Sequence, residues 1–245
     1  MRIGTMGWSY DFWRGSFYPK DLAPSEFLTY YSKQFDTVEV DSTFYRIPRE
    51  QTVRNWKKQT TPHFTFSFKF PRIITHIKML ENCQEETRVF LERLGLLNEK
   101  VGPLLLQLPP TFGSNRMESL NTFLKSLPKE HSYAVEVRNR EALNERLYSI
   151  LNENKVALTW VDSSSLSIVD GMTAGFVYVR LEGDRKRVNG TLGKTEVDCT
   201  PDIRHWVDIL KSASDKGTEI FVYFSKYYSG LPTSDVREFL KLTGS

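Results

Sequence analysis

The chain has 245 residues, with 33 Lys and Arg against 30 Asp and Glu. The formal charge of +3 gives no general attraction for nucleic acid or an acidic membrane, so any basic site must be local. Apolar residues make up 40% and charged residues 26%, ordinary globular proportions that exclude collagen-like, disordered and low-complexity chains. The length suits a single domain over residues 1–245, which would bury roughly 70–75% of its unfolded surface.

In chain order, the opening MRIGTMGWSY contains a strand from Arg2 and lacks the apolar run of a signal peptide. A helix over SEFLTYYSKQF follows Pro24, a good first helical residue. Strands then start near Thr37 (TVEVD), Phe64 (FTFSFK), Val101 (VGPLLLQ), Tyr133 (YAVEVR), Val156 (VALTWVD), Phe176 (FVYVRLE) and Glu219 (EIFVYFS). Between them lie the helical stretches TVRNWKKQ, CQEETRVFLERLGLLNEK, RMESLNTFLKSL and EALNERLYSILNEN. TPDIRHWVDILKSASDKG follows, with Thr200 as cap and Gly217 as stop, and SDVREFLKL comes last. SSSLSIVDGMTAG, after the sixth strand, is too short and polar for a regular helix.

Eight strands alternating with about seven helices predict a parallel sheet, and at this length a TIM-type (β/α)₈ barrel with an irregular or missing helix after strand 6. The alternatives are a seven-stranded incomplete barrel and a doubly wound open sheet. The first turn, GTMGWSYDFW, lacks the glycine fingerprint that the open sheet usually carries. Cys83 and Cys199 fit neither a metal spacing nor a redox pair. No run of about 18 apolar residues exists to span a membrane. A cytoplasmic protein with no membrane partner is the expectation.

Strand side chains alternate faces, so one parity meets the helices and the other enters the barrel. Val38 and Val40, the phenylalanines of FTFSFK, Val135 and Val137, and Val177 and Val179 claim the helix side. Glu39, Asp41, Lys69, Gln107, Glu136, Arg138, Arg180 and Glu182 are left inside, mostly late in their strands, at the end where barrels of this type carry their active sites. One reading is an ion-pair network that fills the barrel top. The other is a functional site, favoured because buried ion pairs are weak devices for stability alone.

Aromatic residues around the first loop, with Trp8 and Tyr10 foremost, either form an apolar lid or a stacking wall that Tyr45, Tyr227 and Tyr228 extend. EGDRKRVNGTLGK reads as a hairpin excursion around Asn189-Gly190, or as a phosphate or nucleic-acid site of Arg180, Arg185, Lys186 and Arg187 with Gly183. His76 follows the third strand and can reach the mouth as an acid, base or ligand. No organic-cofactor motif and no dedicated metal cluster is present, so the cofactor stays open; a carboxylate-held divalent cation is compatible but not indicated.

GTMGWSYDFW, FDTVEVDSTFYRIP, FSFKFPRIITH, GPLLLQLPPTF, YAVEVRNRE and YVRLEG resemble, in order, the motifs of the YecE-like family catalogued as domain of unknown function 72. The resemblance implies a (β/α)₈-type barrel and a site location rather than a reaction. Trp8, Tyr10, Glu39, Thr43, Tyr45, Lys69, His76, Gln107, Glu136, Arg138 and Arg180 stand at the family's characteristic positions. Asp41 replaces a frequent Asn, Glu182 a frequent His, and the last strand ends FSKYYSG in place of an Asn-rich string.

The leading expectation is an enzyme, a hydrolase or lyase acting on a phosphate-bearing substrate such as a nucleic acid or nucleotide sugar. Arg138, Arg180 and Lys69 neutralise the anion, Glu136 or Glu39 acts as base, and His76 acts as acid. If hydrolysis is metal-assisted, Glu39, Asp41 and Glu136 are the oxygen ligands. A second expectation is glycoside hydrolysis by Glu136 with Glu39 or Asp162. A third is a non-catalytic nucleic-acid or small-ligand module. A Lys69 Schiff base needs a lowered lysine pKa, which three nearby carboxylates oppose.

Overall fold

The computed structural model describes residues 1–168, 171–214 and 217–244. Eight strands form where the β-branched and aromatic runs predict them: β1 (Arg2–Thr5), β2 (Thr37–Val40), β3 (Thr65–Lys69), β4 (Val101–Gln107), β5 (Tyr133–Glu136), β6 (Ala157–Ser163), β7 (Phe176–Gly183) and β8 (Glu219–Phe224). All pairings are parallel, in the order β1-β8-β7-β6-β5-β4-β3-β2. The two end strands then meet through a single Met6–Glu39 bridge, with the Gly7 N–H donating to the Glu39 carbonyl at 2.8 Å. Glycine at position 4 permits this approach, because a Cβ there would lie 2.1 Å from the Thr37 carbonyl oxygen. The result is one α/β domain with a nearly closed, TIM-like barrel.

Among the described residues seven α-helices surround it: α1 (Phe27–Tyr31), α2 (Glu50–Gln59), α3 (Gln84–Gly95), α4 (Met117–Ser126), α5 (Glu145–Asn154), α6 (Thr200–Ser214) and α7 (Pro232–Thr243). The first is shorter than its periodic pattern suggests; Pro24–Glu26 makes a separate tight 3₁₀ turn ahead of it. No helix follows β6 among the described residues. Instead Ile168 folds back to exchange two backbone hydrogen bonds with Val161, each 2.9 Å. Thr173 Oγ1 accepts from the Leu158 N–H at 2.7 Å and donates to the Val156 carbonyl at 2.6 Å. Val169 and Asp170 of that segment, and Asp215 and Lys216 of the sixth helical stretch, lie outside the described residues.

The strand parity divides the interior as expected. Val38, Val40, Phe66, Phe68, Val135, Val177 and Val179 join the core between sheet and helices. A separate apolar plug of Leu105, Ala134, Ala157, Phe176 and Phe221 fills the barrel toward its N-terminal end. Above it, the Tyr223 hydroxyl hydrogen-bonds both Thr37 Oγ1 and Ser67 Oγ at 2.8 Å. Charged side chains occupy the next layer, at the C-terminal strand ends.

Candidate active site at the mouth of the barrel

Arg180, from β7, is the centre of that charged layer and is 2% exposed. Its Nε and Nη2 donate to the Glu39 carboxylate at 2.9–3.2 Å. Nη1 donates to Glu136 Oε2 at 2.6 Å and to Glu182 Oε1. Glu136 is held further by Arg138 Nε at 2.7 Å and Gln107 Nε2 at 2.8 Å. Arg138 also donates to Glu182. The Tyr178 hydroxyl donates to Glu39 Oε2 at 2.7 Å. This is a charge-assisted network whose members fix one another's rotamers.

The network sets the protonation of its members. Burial works against the Glu136 charge, but Arg180, Arg138 and Lys69 outweigh it and bring its pKa down to about 2. Glu39 is pushed up by burial against the pull of Arg180. Arg180 keeps its charge because Glu39, Glu136 and Glu182 overcome the cost of its burial.

This layer is the floor of an open cavity of about 580 Å³. Every strand contributes to its wall at or just past its C-terminal end: Met6, Asp41, Lys69, Gln107, Arg138, Ser163, Gly183 and Ser225. Gly183 has φ +70, and a Cβ there would lie 2.2 Å from the Tyr227 carbonyl oxygen, so only glycine lets the loops after β7 and β8 pack together. The rim is cationic. Arg185 lies over the Tyr227 ring at 4.6 Å, and Lys226 sits 5.1 Å from Tyr227 and 5.5 Å from Tyr10. Lys186 lines the same wall. None of these three, nor Lys69, has an ion-pair partner among the described residues.

Of the residues singled out in the sequence, Tyr10, Asp41, Tyr45, Lys69, Gln107, Arg138, Arg180, Glu182, Arg185 and Lys186 line this cavity. Glu39 and Glu136 lie beneath it, 0% and 1% exposed. Other residues are placed elsewhere; Tyr228, 5% exposed, packs on Phe224 at 5.2 Å and lines a separate cleft. Trp8 packs edge-on against Trp56 at 5.7 Å and joins the outer core instead of stacking over the mouth. Asp162 has the helix-facing parity of β6 and accepts from Trp206 Nε1 of α6 at 3.0 Å, so it makes no pair with Glu136. Arg187 lines a separate cleft with Asp162 and Asp202. His76 sits edge-on to Phe44 at 4.9 Å, outside the cavity lining, with Nδ1 bonded to Thr75 Oγ1 at 2.9 Å. Burial, then Lys69, Arg72 and Arg138, push its pKa down to about 4, which leaves the imidazole neutral at pH 7 and unsuited to act as an acid.

The segment after Gly183 is no hairpin. It forms turns that fold over the mouth, where Glu196 accepts from the Asn189 and Gly190 N–H groups at 2.9 and 2.8 Å. Lys226, Ser164 and Ser165 also line the cavity, brought there by the loops after β8 and β6, and strand patterning gives no signal for them. No group of three or more His, Cys, Asp or Glu able to hold one occurs among the described residues, and Arg180 already engages the oxygens of Glu39 and Glu136.

The eight-stranded barrel with its charged C-terminal mouth places the chain among TIM-barrel proteins. It belongs to the DUF72 family, described as a protein of unknown function, whose model matches residues 2–245. The chain is 42% identical to the UPF0759 protein YecE of Escherichia coli K12 over 112 residues, which span 46% of this chain and 41% of that relative. It is 27% identical to the UPF0759 protein YunF of Bacillus subtilis 168 across 98% of this chain and 93% of YunF. A solved DUF72 family protein, TM1631 of Thermotoga maritima, superimposes with a TM-score of 0.85 at 25% identity, covering 100% of this chain and 99% of that one. No helix among the described residues is long and apolar enough to cross a membrane.

Proposed function

We propose that the mouth is the active site of an enzyme acting on a small phosphate-bearing molecule, such as a sugar phosphate or nucleotide. The carrying observation is the unpaired cationic rim of Arg185, Lys186 and Lys226 above a floor whose carboxylates are already engaged. Arg180, a natural phosphate ligand on sequence grounds, directs its donors at carboxylates; anion binding therefore falls to the rim. The cavity volume suits a small molecule better than a polymer, since ligand pockets run from roughly 300 to 1,000 Å³. Tyr45, 82% exposed, and Tyr227 stand at the rim to cover a ring.

Glycoside hydrolysis draws less support. Glu39 and Glu136 share one guanidinium, and Asp162 points toward α6. Phosphodiester hydrolysis at a metal lacks a ligand set among the described residues.

The test is thermal shift and calorimetry with inorganic phosphate, sugar phosphates, nucleotides and the matching neutral sugars, on the wild type and on Arg185→Ala/Lys226→Ala. A phosphate ligand at about 100 times its Kd stabilises the fold by roughly 2.7 kcal/mol. That shift should be absent with neutral sugars and lost in the double variant. No response to any phosphate compound refutes the anion site.

A further inference from the structure

Among the described residues two lysines are buried, Lys69 and Lys100, and their surroundings differ. Lys100 is 5% exposed, and its Nζ donates to the Thr60 carbonyl at 3.0 Å, Thr60 Oγ1 at 2.9 Å, the Thr61 carbonyl at 2.8 Å and the Lys57 carbonyl at 3.2 Å. That ammonium is fully satisfied and structural. Lys69 is 9% exposed and lines the cavity wall, yet its Nζ has no hydrogen-bond or ion-pair partner among the described residues. The Phe44 ring lies 4.3 Å from Nζ to centroid.

A nearly buried ammonium without acceptors favours loss of its proton, because the neutral amine is the form least penalised by burial. Carboxylates nearby would ordinarily hold the proton on. Here Glu39 is engaged by Arg180 and Tyr178, and Glu136 by Arg180, Arg138 and Gln107. Asp41 keeps one buried oxygen without a hydrogen bond, 3.8 Å from Arg180 Nη2. Burial is the leading cause that holds the Lys69 pKa below the usual lysine value; Arg180 adds to it, while Asp41, Glu136 and Glu39 oppose it without overcoming it.

We propose that Lys69 is the nucleophilic amine of the mouth and that the substrate class is a small phosphate-bearing aldehyde or ketone, captured as a protonated Schiff base. This rests on the reading of the mouth as an anion site. The neutral amine attacks the carbonyl carbon and a C–N bond forms. The carbonyl π pair moves to oxygen, which takes a proton, and nitrogen loses one to water. The resulting hydroxyl takes a second proton from water and leaves as water. The nitrogen lone pair then closes the C=N bond, giving an iminium. Its positive charge forms beside the Phe44 face, near the Asp41 carboxylate. The rim cations hold the phosphate while the iminium draws electrons from a bond at the adjacent carbon.

The full chain is incubated with dihydroxyacetone phosphate or glyceraldehyde 3-phosphate and sodium borohydride, and the reduced adduct is mapped by peptide mass spectrometry. In parallel, competitive acetic anhydride labelling from pH 6 to 10 ranks the reactivity of every lysine in the wild type. The expected result is at least tenfold more adduct at Lys69 than at any other lysine, its suppression by inorganic phosphate, and a labelling midpoint for Lys69 below that of the exposed lysines. Lys69→Arg, checked for folding by circular dichroism, should give no adduct. No Lys69 adduct with either carbonyl probe, or a labelling midpoint no lower than the exposed lysines, overturns the inference. If phosphate still binds and shifts the melting temperature, only the lysine inference fails; if phosphate binds nowhere in the mouth, the anion-site reading fails with it.

Discussion

Arg180→Met isolates the role of the barrel floor. Methionine approximates the aliphatic stem and removes the guanidinium, which leaves Glu39 and Glu136 buried at 0% and 1% exposure without their shared counter-ion. Breaking a buried pair from one side costs about 3–5 kcal/mol, and this side chain serves three carboxylates by hydrogen bond. The loss should reach at least the upper end of that range, a large part of a typical stability of about 5–15 kcal/mol. It should also depend on pH. In the wild type, Glu136 has a folded pKa of about 2, below the unfolded value of roughly 4.3, so its contribution is present above that range and lost as pH falls through it. In the variant, the uncompensated carboxylates have raised folded pKa values. Stability then falls as pH climbs through those values, and the deficit widens from pH 5 to pH 8. Urea denaturation at both pH values measures this, and adding Glu39→Gln and Glu136→Gln should recover much of the loss at pH 8. A deficit under about 1 kcal/mol, equal at both pH values, would refute the claim that Arg180 neutralises the floor.

Two further perturbations separate stability from the mouth. Lys100→Met should cost about 2–3 kcal/mol in chemical denaturation, because it strands the Lys57, Thr60 and Thr61 carbonyls that Lys100 bonds at the end of α2, while leaving phosphate affinity unchanged. Asp235 is 5% exposed, and burial, offset in part by the Ser229 hydroxyl at 2.7 Å, raises its pKa to about 7. A raised folded pKa means that wild-type stability falls as pH rises from about 4 to 7. Asp235→Asn should therefore gain melting temperature over the wild type progressively across that window, and a pH-independent difference would show that the carboxyl ionises freely.

Alternation alone carried much of this architecture. In TVEVD the valines had to face the helices, which sent Glu39 inward, and FVYVRLE fixed Tyr178 and Arg180 by the same rule. What a strand pattern cannot contain is partnership. Nothing in the spacing of Glu39, Glu136 and Glu182 says that one guanidinium binds all three. Loop placement is equally hidden. Lys226 reaches the cavity because glycine at position 183 admits the Tyr227 backbone, a contact 44 residues distant in the chain. Trp8 reads like Tyr10 in GTMGWSYDFW, yet one turns to Trp56 and the other to the mouth, since both lie past the end of β1 at Thr5, where strand alternation no longer applies.

An ion-pair floor is not by itself evidence of function, because apolar side chains can fill a barrel at least as well. The asymmetry above it is more telling. Within one layer every donor of Arg180 points at an acceptor, Glu136 accepts from three residues, and even Gln107 is engaged. Immediately above, Lys69 lies against the Phe44 ring, Asp41 keeps an oxygen without a hydrogen bond, and Lys69 and three further cations have no ion-pair partner among the described residues. A protein that satisfies Lys100 with four acceptors at the opposite end has the means to satisfy Lys69 and does not. Stability gains nothing from that omission. On the proposed reading, an amine kept without a protein partner beside an open cavity gains reactivity, with burial lowering its pKa against the opposing pull of Asp41, Glu136 and Glu39.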